Sequence, residues 1–170
     1  KVIFSFALLA ISLGVNAEFT DVKWNETYKD AIHYLQDNQI VKGYQDGSFG
    51  PLRNISRSEM LKILVESKFL DDDQSKQEIE SFQNENCFQD VQSSDWFAKY
   101  VCWAKEQGWV KGYEDGKYFR PFQDVTLVEG LKMSLVSGDI QYAQTDRWYK
   151  GVVDAASQIN VIPHNVSYFH

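Results

Sequence analysis

Positive charge is scarce in this sequence. Seventeen Lys and Arg stand against 24 Asp and Glu in 170 residues, a formal net charge of −7. No basic stretch is present to neutralise a phosphate backbone, which excludes a nucleic-acid binder. Adsorption to an anionic membrane by bulk charge is excluded on the same ground. Any anionic ligand must be held by local geometry, against an unfavourable mean field. Histidine is scarcer still: His33, His164 and His170 show no ligand spacing to the two cysteines, so neither a metal nor another cofactor is expected. A Ser-His-Asp or Cys-His arrangement is also missing, so no enzyme activity is expected. Long apolar runs are few, and Val2 to Leu13 is shorter than the roughly 20 residues needed to span a bilayer.

What that run does resemble is an address. Lys1 precedes it and the small residues Val15-Asn16-Ala17 follow it, as in a secretory signal peptide over residues 1–17. An exported chain starting near Glu18, with no membrane span after cleavage, is the expectation; a membrane anchor is the rival. Export changes how Cys87 and Cys102 are read, because an oxidising compartment lets them pair. A bridge would close a loop of about 15 residues, worth on the order of 3 kcal/mol. The alternative is two buried free thiols.

The chain is internally repetitive. Phe19-Thr20-Asp21-Val22 recurs 69 positions on as Phe88-Gln89-Asp90-Val91. Val41-Lys42-Gly43-Tyr44-Gln45-Asp46-Gly47 recurs as Val110-Lys111-Gly112-Tyr113-Glu114-Asp115-Gly116. After one inserted residue, Phe49-Gly50-Pro51 matches Phe119-Arg120-Pro121, and Ile55 to Glu59 matches Val125 to Glu129. The cysteines have no counterparts: Glu18 and His33 stand in their places in the first copy.

Periodicity predicts a helix between the two motifs of each copy, with one apolar stripe at Tyr28, Ala31, Ile32 and Leu35, and again at Phe97, Tyr100, Val101 and Ala104. A third stripe, Tyr149, Val152, Val153 and Ala156, follows Asp146-Arg147-Trp148, but no Gly-Tyr-x-Asp-Gly comes after it. The Asp-Gly segments read as turns, with Gly43 or Gly112 ending the helical region before them. Ser56-x-x-Glu59 and Thr126-x-x-Glu129 read as structural capping boxes opening a second helix per copy. Residues 67–86 read as a polar linker with one short helix, Ile79 and Phe82 supplying its packing contacts.

These motifs resemble the S-layer homology family, whose pattern is an aromatic-x-Asp-Val start, a helix, Gly-Tyr-x-Asp-Gly-x-Phe-x-Pro, and Ile-Thr-Arg-Ala-Glu opening a second helix. The first copy carries all of it, with Arg57 as the motif arginine; the second has Leu127 at that position. The resemblance implies an all-α fold of helix-loop-helix repeats, packed as an incomplete pseudo-threefold unit. The repeats would span residues 18–66 and 87–137, with a truncated third over 142–170. It further implies a non-covalent cell-envelope anchor at the bacterial surface. Its partner would be secondary cell-wall polysaccharide, often through a pyruvylated sugar, with other surface-layer proteins as further partners. Arg57, one residue past a helix cap, would meet the sugar's carboxylate with a bidentate fork and free N–H groups. Gly43 and Tyr44 of the motif loop complete the implied glycan contact, and the grooves form between neighbouring repeats.

Particular residues bear on the other functional classes. An EF-hand through Asp46-Gly47 would need ligands at Lys42, Tyr44 and Arg53, which excludes it. A glycosidase carboxylate pair is disfavoured because Asp21 and Asp90, and Asp46 and Asp115, recur at matching positions, as turn and cap residues do. A catalytic domain beyond His170 would make the chain the anchor of a longer exported enzyme. A surface-layer assembly module could use Trp24, Trp96, Trp103, Trp109 or Trp148 as interface anchors. Trp103 and Trp109 lie off the apolar stripe, which makes them the better candidates for contact with glycan.

Overall fold

A computed structural model describes residues 18–23 and 27–162. The signal peptide expected over 1–17, Trp24, and the last eight residues of the third repeat lie outside the described residues. Six α-helices are present among the described residues: α1 (Lys29–Asp37), α2 (Arg57–Lys68), α3 (Asp73–Ser81), α4 (Ala98–Glu106), α5 (Leu127–Ser137) and α6 (Trp148–Gln158), with a 3-10 turn at Phe82–Asn84. Extended pairing among them is limited to two isolated bridges, Ser56 with Asp124 and Tyr113 with Tyr118. The fold is all-α, as the periodicity predicts. No helix among the described residues is long and apolar enough to cross a membrane.

Two compact units meet in the chain between Pro51 and Leu52. In the first, Phe19, Ile32 and Ile40 are buried, and the Phe19 and Phe49 rings lie 5.4 Å apart. Tyr28 and Ala31 point to solvent, so only half of the expected α1 stripe faces inward. The Asp21 carboxylate closes the loop by accepting from the N–H groups of Phe49 at 2.7 Å and Gly50 at 2.8 Å. The Phe49 N–H is the main reason the Asp21 carboxyl is held below its ordinary value.

The second unit repeats the device. Asp90 accepts from Phe119 and Arg120 N–H at 2.8 and 2.7 Å, and the Phe88 and Phe119 rings lie 5.7 Å apart. Around it, α2 packs on both α4 and α5, and α3 packs on α4. Leu61, Val65, Phe97, Val101, Ala104 and Phe119 form the centre of its core. Residues 67–86 are integrated here: Ile79 on α3 is buried in the same core and Phe82 packs against it. The bridge forms between Cys87 and Cys102, tying the segment before Phe88 to α4. A second cluster, with Leu131, Leu135, Val152 and Ala156, joins α5 to α6.

Gly43 and Gly112 do not end the helices before them. α1 stops at Asp37 with Gln39 at φ 59°, and α4 stops at Glu106 with Gly108 at φ 73°. Gly112, at φ 76°, is needed for close approach: a Cβ there would lie 2.5 Å from Phe88 Cε1 and 2.7 Å from the Tyr118 carbonyl oxygen. Gly108 has open space at its Cβ position. Gly112→Ala should therefore destabilise the unit by about 3 kcal/mol, strain plus overpacking, whereas Gly108→Ala should cost about 1 kcal/mol from backbone conformation alone. Urea unfolding of both variants checks this; equal losses would remove the steric part.

Candidate functional site

The motif arginine enters the second unit from the first turn of α2. Both capping boxes are formed, Ser56 with Glu59 and Thr126 with Glu129. The N–H groups at the start of α2 are consumed by the facing loop: Arg57 N–H donates to Gln123 O at 3.0 Å and Ser58 N–H to Pro121 O at 3.1 Å. Glu59 N–H donates to Ser56 Oγ at 3.3 Å. The helix terminus is thus closed to an anion, contrary to the expectation from sequence, because the segment 121–125 pairs along it.

Arg57 is itself 6% exposed. Its Nε donates to the Phe119 carbonyl at 2.9 Å and its Nη1 to Glu129 Oε1 at 3.3 Å. The guanidinium carbon sits 4.8 Å from the centroid of the Tyr113 ring and 4.9 Å from that of Phe119. A second guanidinium, that of Arg120, lies 4.3 Å from the same Tyr113 centroid, and is only partly covered by its ion pair with Glu114 at 3.2 Å. The Tyr113 hydroxyl donates to Glu129 Oε1.

Glu129 therefore does two jobs. One oxygen closes the capping box of α5, accepting from Thr126 N–H at 3.0 Å, while the other gathers Tyr113 and Arg57. Burial alone would raise its pKa, but the hydrogen bonds from Tyr113 and Thr126, with the Arg57 charge, hold the carboxyl below its ordinary value. Burial first, then the bond to Glu129, pushes the Tyr113 hydroxyl up. Both groups keep their usual protonation state at neutral pH. The result is one ring flanked by two cations and one fixed carboxylate, in a chain with excess negative charge.

The other contacts expected from sequence fall elsewhere. Gly43 and Tyr44 belong to the first unit, where the Tyr44 side chain is 43% exposed. Their second-copy counterparts, Gly112 and Tyr113, are the ones that accompany Arg57. Trp103 is not a surface contact: it is 4% exposed, its Nε1 donates to Glu78 at 3.1 Å, and it packs edge-on against Phe69 and Trp109. Trp109 is half-buried in the same cluster. Both lie off the stripe, yet α3 and Phe69 cover that side of α4. Leu127, which replaces the motif arginine in the second copy, is 55% exposed at the start of α5. Sequence reasoning missed Tyr113, Phe119 and Arg120, although the repeat offset and the rule that grooves form between neighbours pointed to Tyr113. Among the described residues, no group of His, Cys, Asp and Glu could hold a metal ion.

The S-layer homology domain model matches residues 18–61 and 88–127. The chain belongs to the S-layer homology family. Residues 142–162, with α6, are consistent with a partial third S-layer homology repeat. The chain is similar to a middle cell wall protein of Brevibacillus brevis, 28% identical over 91% of this chain and 14% of that protein. It is also similar to a surface layer protein of Brevibacillus choshinensis, 28% identical over 92% of this chain and 14% of that one. An endo-1,4-beta-xylanase A of Thermoanaerobacterium saccharolyticum is 32% identical over 71% of this chain and 9% of its own length. The chain thus spans 14% of the length of the first two of these relatives.

Proposed function

We propose that this chain is a non-covalent anchoring module of the bacterial cell envelope, which holds an exported protein to secondary cell-wall polysaccharide. The S-layer homology repeats are a non-enzymatic module, and the relatives' names are those of cell-wall and surface-layer proteins and of an enzyme. The observation that carries the reading is the pair of guanidiniums on Tyr113. Arg57, buried and fixed by Phe119 and Glu129, sets the ring; Arg120, more exposed, is the cation an acidic sugar reaches first. A carboxylate such as that of a pyruvylated sugar fits this chemistry, since a planar fork binds a planar anion. Gly43 and Tyr44 are proposed as a separate contact in the first unit. Trp109, half-buried, is proposed as a further glycan contact, and Trp103, sealed in the core, leaves the set.

Sedimentation with purified cell-wall polysaccharide tests the reading. The protein should pellet with the acid-bearing polymer, and retention should fall at least tenfold, about 1.4 kcal/mol, once the acidic substituents are removed. Self-association without any retention on polymer would instead favour a surface-layer assembly module.

A further inference from the structure

The second copy departs from the first by a disulfide and by one extra loop residue, and both departures line the same cleft. The cleft holds about 490 Å³, with Asn86, Cys87, Gln89, Gln92 and Lys117 in its lining. Clefts that hold small molecules span about 300–1,000 Å³. Cys87, bridged to Cys102 on α4, stands where the first copy has Glu18. The Lys117 carbonyl accepts from Gln89 N–H at 2.9 Å, as the Gly47 carbonyl accepts from Thr20 N–H at 3.0 Å in the first copy. In backbone pairing, the insertion therefore puts a lysine where the first unit has a glycine.

The backbone around the cleft is held in place. The Lys105 ammonium donates to Cys87 O, and Gln92 N–H donates to Asp95 Oδ2 at 2.9 Å. Asn86 Oδ1 accepts from Ser93 N–H at 3.1 Å. Little conformational freedom is left to lose on binding. The polar side chains, by contrast, are not used up. The side chains of Gln89, Gln92 and Lys117 have no hydrogen-bond or ion-pair partner among the described residues. No carboxylate belongs to the lining, although the chain carries 24 Asp and Glu. Asp90, next to Gln89, is taken up by the N–H groups of Phe119 and Arg120.

We infer that this cleft binds one acidic sugar, free or as a residue of a polymer. A carboxamide offers a donor and an acceptor side by side, which match hydroxyls that both give and take hydrogen bonds. The Lys117 ammonium supplies a charge-assisted bond to the carboxylate. Phe88 and Val91, buried residues of the same lining, give an apolar base for the C–H groups of the ring. The cleft does not rest on the anchoring reading, since none of these residues belongs to the arrangement of Arg57, Tyr113 and Arg120.

NMR titration of the isotope-labelled protein with glucuronate, glucose and acetate tests it. Glucuronate should shift the side-chain amide signals of Gln89 and Gln92. It should bind at least tenfold more tightly than glucose or acetate, the scale of one charge-assisted hydrogen bond. Lys117→Gln should remove the advantage over glucose and leave glucose binding unchanged. Gln89→Ala should weaken glucuronate and glucose alike, by about threefold. Both side chains are exposed, so neither variant disturbs the core. Acetate binding as tight as glucuronate would reduce the cleft to a lone lysine contact and overturn the proposal. Unmoved signals at Gln89 and Gln92 would overturn it too. Shifts confined to Tyr113 and Arg120 would refute the cleft while supporting the anchoring reading. Purified cell-wall polysaccharide that displaces glucuronate makes the sugar a residue of that polymer; a polymer that does not makes it a free sugar acid, and either result supports the cleft.

Discussion

Arg57→Ala should destabilise the second unit by about 3 kcal/mol and abolish retention on cell-wall polysaccharide. The stability loss follows from what the side chain leaves behind. The Phe119 carbonyl loses its buried donor, and the Glu129 carboxylate, 19% exposed at its side chain, loses its cation. Breaking a buried pair from one side costs about 3–5 kcal/mol; the lower figure applies because Glu129 keeps Tyr113 and Thr126 as donors. The loss of retention follows from the proposed site: without Arg57 the Tyr113 ring, still bonded to Glu129, carries one guanidinium instead of two. Arg57→Lys separates the two effects. An ammonium restores the charge but cannot reach Phe119 O and Glu129 together with a planar fork. Stability should recover in part and retention should not. Urea unfolding and polymer pelleting read the two quantities, and an alanine variant that unfolds and pellets as the parent does would remove Arg57 from both roles.

Replacing Cys87 and Cys102 together by serine should lower stability by about 3 kcal/mol, the entropy of opening a loop of this size in the unfolded chain. The sequence separation is 15 residues. The effect should concentrate on the segment leading into Phe88. That segment is held by the bridge, by the Lys105 ammonium donating to Cys87 O, and by Gln89 N–H donating to Lys117 O at 2.9 Å. Thermal unfolding with and without reductant measures it, with a fall in Tm of roughly 10 °C expected. An unchanged Tm for the serine pair would show that packing alone sets that segment.

Local chemistry was legible in the sequence and long-range pairing was not. Both capping boxes, the pairing of the cysteines and the short helix within 67–86 follow from signals a few residues wide or from residue type and compartment. The matched positions of Asp21 and Asp90 suggested caps, and each does cap two loop N–H groups. Periodicity failed at α4, because a single apolar stripe marks one buried face, whereas α2, α3 and the 3-10 turn all pack on this helix. Trp103 looked free for that reason. Arg57 looked exposed because its partners, Phe119 and Glu129, lie 62 and 72 residues away in sequence. No local pattern reports on contacts at that distance. The sequence did contain the key to one of them: Tyr113 is the counterpart of Tyr44, one repeat on.

The boundary between Pro51 and Leu52 falls inside the first matched repeat, which runs from 18 to 61. Sequence period and folded unit are therefore out of phase: α2 is written with the first motif but lives in the core of the second. A fragment beginning at Leu52 keeps Leu61, Val65 and Arg57 with their partners, whereas one beginning at Cys87 deletes them. Excision at motif borders would cut through a hydrophobic core. For exchange of these modules between proteins, the seam that preserves folding lies in the Gly-Pro loop rather than where the pattern starts again.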